Sequence, residues 1–214
     1  TDGRRMESFV NFLREIRGRA DGLYLLGDIF DFWVEYRDVV PRGYVDILAE
    51  LKTIASRGCE VLFFGGNHDW WTTDYFDREL GVKTVREPYI LKEIDGRRFC
   101  IGHGDLPGSS SFKAKATFNI LRNRVCIALL KSLPPRWVFA FARRWASHSR
   151  QKSRYVFNGE QSDIWRFANE FGKTTPVDCY VFGHYHVKAH LPVASGGELY
   201  LVDDWSEGAG CLVI

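Results

Sequence analysis

The chain has 214 residues, 45% hydrophobic and 26% charged, with 29 Lys and Arg against 27 Asp and Glu for a formal net charge of +2. That balance excludes a disordered, collagenous or coiled-coil chain and allows one substantial core rather than two. No uncharged apolar run approaches the roughly 18–20 residues that span a bilayer. The five cysteines (59, 100, 126, 179 and 211) are odd in number and never spaced as CxxC, so a reduced, cytoplasmic setting is expected rather than a disulfide framework or a zinc knuckle.

An amphipathic helix carrying Phe9, Phe12, Leu13 and Ile16 opens the chain. Leu23–Gly27 reads as a short buried strand, followed by a helix from Pro41 to Arg57 and a second buried strand at Cys59–Phe64. Pro88–Ile94 and Arg97–Ile101 flank Asp95-Gly96, a strong hairpin signal. Two helices, about Phe112–Leu133 and Arg136–Ser149, meet at Pro134-Pro135. A helix around Gln161–Phe171 then precedes strands at Asp178–Phe182, Val187–Val193, Glu198–Val202 and Cys211–Ile214. The pattern predicts a single α/β domain, a sandwich of mixed sheets, interrupted by a helical insert at about residues 112–155.

Chemistry-bearing residues gather where these strands end. Gly27-Asp28-x-x-Asp31, Gly66-Asn67-His68-Asp69, Gly102-His103-Gly104-Asp105 and Gly183-His184-Tyr185-His186 each run from an apolar strand through glycine into Asp, Asn or His. The carboxyl edge of a sheet is where α/β proteins place ligands, and glycine lets the backbone approach them closely. Any one of these residues has an ordinary structural reading: Asp28 as a turn cap, Asn67 as a turn residue, His103 as a satisfied core histidine. Together, oxygen and imidazole donors without thiolate point to Mn, Fe or Zn. His184 and His186, one residue apart, share a face if their backbone is a regular strand.

The insert differs in charge from the body. Between Leu106 and Gly159 there are eleven Lys and Arg and no Asp or Glu, which leaves 18 basic against 27 acidic residues elsewhere. Arg and Lys interleaved with Phe118, Leu121, Trp137, Phe141 and Trp145 suit a nucleic acid or an anionic lipid surface, and the grooves between such helices suit acyl chains.

In this order, GDxxD, GNHD, GHGD and GHxH resemble the motifs of the calcineurin-like metallophosphoesterases over nearly the whole chain. The resemblance implies a four-layered α/β/β/α sandwich and a centre of two divalent ions. Asp28 would bridge the ions, Asn67, His103 and His184 would complete one shell, and His186 would hold the other ion. His68 would donate a proton to the leaving oxygen or stabilise phosphoryl charge, oriented by Asp69, while Asp31 and Asp105 would support the ligands. The family's first motif, Asp-x-His at the end of a first strand, does not occur and is expected on a strand upstream of Thr1.

Within that family, LYLLGDIFDFW, the GNHD segment, the helical insert after GHGD, and DDWSEG look like the UDP-2,3-diacylglucosamine hydrolases of lipid A biosynthesis. That likeness implies hydrolysis of a pyrophosphate bond with two Mn ions, by a protein held peripherally on the cytoplasmic face of the inner membrane, with the insert as a lid over acyl chains. It favours lipid over nucleic acid as partner. It implies substrate contacts from Asn67, His68, His184 and, within RRWASHSR, Ser149. Departures are Ser153, where many members have Asn, LPGSSSF after GHGD, and His68, where many have Arg. Two other readings stay open: a metallophosphoesterase acting on a nucleotide or other phosphodiester, and a catalytically silent protein of the same fold.

Overall fold

A computed structural model describes residues 3–105, 123–141, 157–205 and 210–214. In chain order its elements are α1 (Gly3–Ile16), β1 (Gly22–Leu25), α2 (Val45–Ser56), β2 (Glu60–Phe64), a π-helical turn (Phe76–Leu80), β3 (Lys83–Val85), β4 (Tyr89–Ile94) and β5 (Arg97–Gly102). There follow α3 (Arg124–Ser132), a helical segment at 135–141 (α4), α5 (Asp163–Gly172), β6 (Cys179–Phe182), β7 (Ala189–Pro192) and β8 (Glu198–Leu201).

The strands form two sheets. One is parallel, in the order β1-β2-β3, and the other is mixed, in the order β4-β5-β6-β8-β7. Period-2 alternation assigns their side chains to layers. Leu62 and Phe64 of β2 meet Phe99 and Ile101 of β5 and Cys179 and Val181 of β6 in a core between the sheets. The intervening Val61 and Phe63 turn the other way, onto Leu13, Leu51 and Ile54 of α1 and α2. On the far side Cys100, Tyr180, Phe182 and Leu199 receive Ile164 and Ala168 of α5. The result is the α/β/β/α sandwich that the motifs imply. All five cysteines are unpaired, and among the described residues no helix is long and apolar enough to cross a membrane.

α1 and α2 are joined by charge as well as by packing. Glu50, 8% exposed, is paired with the guanidinium groups of Arg14 and Arg17, which offsets the cost of burying its carboxylate. The Asp95-Gly96 hairpin forms as read. Both central residues are left-handed (φ 48° and 73°), so the backbone twist of the turn matches that of its strands.

The structure corrects the sequence reading at several boundaries. β3, three residues paired in parallel with β2, was too short to show a period. Residues Cys211–Ile214, read as a strand, make no ladder, and Val213 is 84% exposed; an apolar run supplies no partner edge. Within the span read as one helix to Leu133, Asn123 is extended and caps α3 by accepting from the backbone N–H groups of Val125 and Cys126 at 2.8 and 3.2 Å. The remainder of the predicted insert lies outside the described residues.

Phe63 is fully buried and stacks on Phe76 with ring centroids 4.7 Å apart. Phe63→Ala is expected to lower the unfolding free energy by about 3–5 kcal/mol, read as a lower urea midpoint at unchanged slope.

Candidate metal centre

β1 and β2 run parallel, as do β5, β6 and β8. The sandwich brings the carboxyl edges of both sheets together, so each glycine-led motif emerges at one rim. There the side chains of Asp28, His103 and His184 offer ligand atoms all within 4.8 Å of one another. Asp28 Oδ2, Asn67 Oδ1 and His184 Nδ1 lie 3.6, 3.3 and 3.2 Å from His103 Nε2.

The protons decide what this cluster can hold. His103 Nδ1–H donates to the Leu26 carbonyl at 2.6 Å, which turns Nε2 toward Asp28, Asn67 and His184. Burial, then the nearby His103, pulls His184 down to about 3, so this imidazole stays neutral. Burial alone would raise Asp28, but His103 and His68 beside it hold its carboxyl below the ordinary value, in the ionised form. Burial would lower His103, and the charges of Asp28 and Asp105 outweigh it and raise its pKa. A carboxylate, an amide oxygen and two imidazoles converge here, and a divalent cation of the Mn, Fe or Zn type fits that set by displacing the proton that the raised pKa favours on His103.

The loops are held for this purpose. Asp69, fully buried, accepts the backbone N–H groups of Gly66, Asp28 and Phe30 at 2.8, 3.1 and 3.2 Å. It therefore joins the loop after β1 to the loop after β2. Among the described residues its hydrogen bonds go to main-chain amides rather than to the His68 ring, so it places the backbone of both loops. Burial, then the charge of Asp28, pushes Asp69 up to about 7 against these amides, which pull it down. In return His68 N–H donates to Asp28 Oδ1 at 2.8 Å. Close approach dictates the glycines: a Cβ on Gly27 would come within 2.7 Å of His103 Nδ1, and one on Gly66 would collide with the Asp28 carboxylate.

His184 and His186 do not lie on a regular strand. Both are left-handed, with φ of 66° and 49°, in the turn before β7, and Asp28 shares that conformation at 53°. Non-glycine residues held there store strain, which clusters at functional sites. The turn separates the two histidines. His184 faces His103, whereas His186 stands outside the tight cluster with Nδ1 3.2 Å from Asp204 Oδ2. That hydrogen bond, more than any other influence, raises the pKa of His186.

Two acidic residues escaped the sequence reading. Glu35, 1% exposed, accepts from Trp33 Nε1 at 3.1 Å, from Thr73 Oγ1 at 2.6 Å, and from the backbone N–H groups of Thr73, Asp74 and Tyr75. With Trp33 N–H donating to the His68 carbonyl at 3.1 Å, it anchors the far end of the GNHD loop. Asp204 is the other, and the signal for it was β8 itself, a further apolar strand ending in Asp203-Asp204. Asp31 and Asp105 are half-buried at the same rim. Ser149 lies outside the described residues.

The profile of the calcineurin-like phosphoesterases matches residues 3–188. A UDP-2,3-diacylglucosamine hydrolase from Porphyromonas gingivalis is 33% identical over 210 residues, covering 91% of this chain and 80% of that protein. One from Serratia proteamaculans is 30% identical over 195 residues, again covering 91% and 80%. Among solved structures, a dimetal phosphatase from Danio rerio aligns with a TM-score of 0.41 at 15% identity, over 96% of this chain and 79% of that one.

Asp28→Ala and Gly66→Ala are each expected to abolish tight divalent-cation binding in calorimetric titration, the first by removing a ligand and the second by displacing it. Asp69→Asn turns an amide N–H toward backbone donors and should cost about 1–3 kcal/mol of stability, measured by denaturant unfolding of the metal-free protein.

Proposed function

Because the chain belongs to the calcineurin-like phosphoesterase family, we propose that it hydrolyses the pyrophosphate bond of UDP-2,3-diacylglucosamine to UMP and 2,3-diacylglucosamine 1-phosphate. A hydrolase of the metallophosphoesterase type is what the family supplies; the substrate is the further step. The name shared by relatives over most of the chain supports it. One observation carries it beyond the name. Val125 and Leu129 of α3, Leu133 in the extended link, and Trp137 and Phe141 of α4 are 66, 64, 45, 58 and 62% exposed.

The two helices that carry these side chains stand beside the rim. Val138 on the opposite side is buried, Phe139 meets Tyr36 edge-on at 6.1 Å, and Lys131 Nζ donates to Thr73 Oγ1 at 3.2 Å. Tyr36 and Thr73 belong to the segments that follow Asp28 and His68, so the insert is seated on the loops that carry the site. Exposed apolar side chains among lysines and arginines suit two acyl chains and the anionic surface from which such a substrate is drawn. Peripheral contact with the cytoplasmic face of the inner membrane follows, through the basic insert and without a spanning helix. Ser149 would contact the substrate from the same insert.

Asp28, Asn67, His103 and His184 would hold one divalent ion and Asp28 with His186 a second, proposed as Mn. Two such ions, when bound, offset phosphate charge and lower the pKa of a water toward neutrality. The chain's own part is positional. The neutral His184 and the Leu26-anchored His103 keep Nδ1 and Nε2, respectively, directed inward. Asn67 and His184 would also contact the diphosphate. His68, half-buried at the lip of the loop, would give a proton to the leaving phosphate oxygen as the bond to phosphorus breaks.

The test is UMP release from UDP-2,3-diacylglucosamine by the Mn-loaded protein, with bis-p-nitrophenyl phosphate as comparator. Leu129→Glu with Phe141→Glu should lower turnover of the lipid by about 10–100-fold, the equivalent of losing roughly 1.5–3 kcal/mol of apolar contact, and spare the small diester. Equal loss on both substrates, or no UMP at all, would remove the lipid from the reading. His68→Ala should slow a single turnover without lowering metal content.

A further inference from the structure

Resting on the two-ion reading, we infer that Asp204 is the positioning residue for the second ion: it fixes His186 so that Nε2 is the coordinating atom. Neither the motifs nor the sequence resemblance assigns it a role.

A neutral imidazole carries one ring proton, and its partner decides which nitrogen. His186 Nδ1 faces Asp204 Oδ2 at 3.2 Å. The proton therefore sits on Nδ1 and is donated to the carboxylate, which leaves Nε2 free to bind a cation. Carboxylate–histidine–metal triads hold a ligand's tautomer and ring orientation in this way. Such a brace matters more for His186 than for its neighbours. His103 is buried and tied to Leu26. His184 packs edge-on against both His103 and Tyr185, at 5.0 and 5.6 Å. His186, by contrast, is 47% exposed at the side chain on a left-handed backbone.

Asp204 is itself held from several directions. β8 runs parallel to β6, and the ladder continues one step beyond it through Val202 N–H donating to the Phe182 carbonyl at 2.8 Å. This carries Asp203-Asp204 to the edge from which Gly183-His184 emerges. The next residue, Trp205, packs against Phe9 and Phe12 of α1 at 5.2 and 5.0 Å. Arg5 Nη1 of the same helix stands 4.0 Å from Asp204 Oδ2. α1, remote from every motif, thereby sets where the carboxylate lies.

The experiment is a Mn(II) titration of the full-length wild type, Asp204→Asn and Asp204→Glu, following free Mn(II) by electron paramagnetic resonance, with thermal melting of each metal-free protein alongside. In the wild type two ions should bind. Asp204→Asn should weaken one of them by about 10–100-fold and leave the other and the metal-free melting temperature unmoved, and Asp204→Glu should recover most of that loss. Excess Mn(II) should restore kcat in Asp204→Asn. Two ions bound with unchanged affinity in Asp204→Asn would overturn the positioning role and leave the two-ion reading standing. Parallel weakening of both ions with a lower melting temperature would overturn it in favour of a structural role. A single ion in the wild type would overturn the two-ion reading, and this inference with it.

Discussion

The carboxylate of Asp69, sealed from solvent, accepts three backbone N–H groups drawn from two loops, Asp28 and Phe30 on one and Gly66 on the other. The rest of the rim follows from that joint. Asp28 cannot move without His68, because the His68 amide donates to the Asp28 carboxylate. His103 cannot rotate without breaking its bond to the Leu26 carbonyl on the strand leading to Asp28. The ligand atoms are thus assembled before any cation arrives.

Backbone strain has the same source. Asp28, His184 and His186 all adopt left-handed conformations that side chains ordinarily avoid. Each stands immediately after a sheet-bound strand or in the turn following one, where ladders and core packing over-determine the chain. Strain at these positions and rigidity behind them are two aspects of one arrangement. It orients donors from separate strands toward a point that no single element could define.

Charge is divided along different lines. The body is acidic and the insert basic, and among the described residues Lys131 meets Thr73 and Phe139 meets Tyr36 across the contact between them. Burial lowers the Lys131 pKa, partly countered by Glu35 and Asp74, so this cation is drawn toward the acidic loops rather than presented to solvent. The insert therefore divides its residues. Phe139 and Lys131 meet the loops after β1 and β2, while Val125, Leu129, Trp137 and Phe141 remain exposed.

By itself the sequence determined the strands that are apolar and glycine-terminated. β1, β2, β5 and β6 announce themselves with the residues they deliver, because an apolar run buried on both faces and closed by glycine has few other meanings. It also determined the families of donors, since side-chain type limits which ion can be held. Only the tertiary structure decided direction. His184 and His186 read as one face of a strand, yet the turn sends one to His103 and the other to Asp204. Glu35 carries no local signature, and the end of β8 that delivers Asp204 does not name its partner, because their meaning lies in amides and an imidazole supplied by segments distant in sequence. Period and composition record how a residue meets its own element; which partner a side chain meets across space depends on how the two sheets and their helices pack.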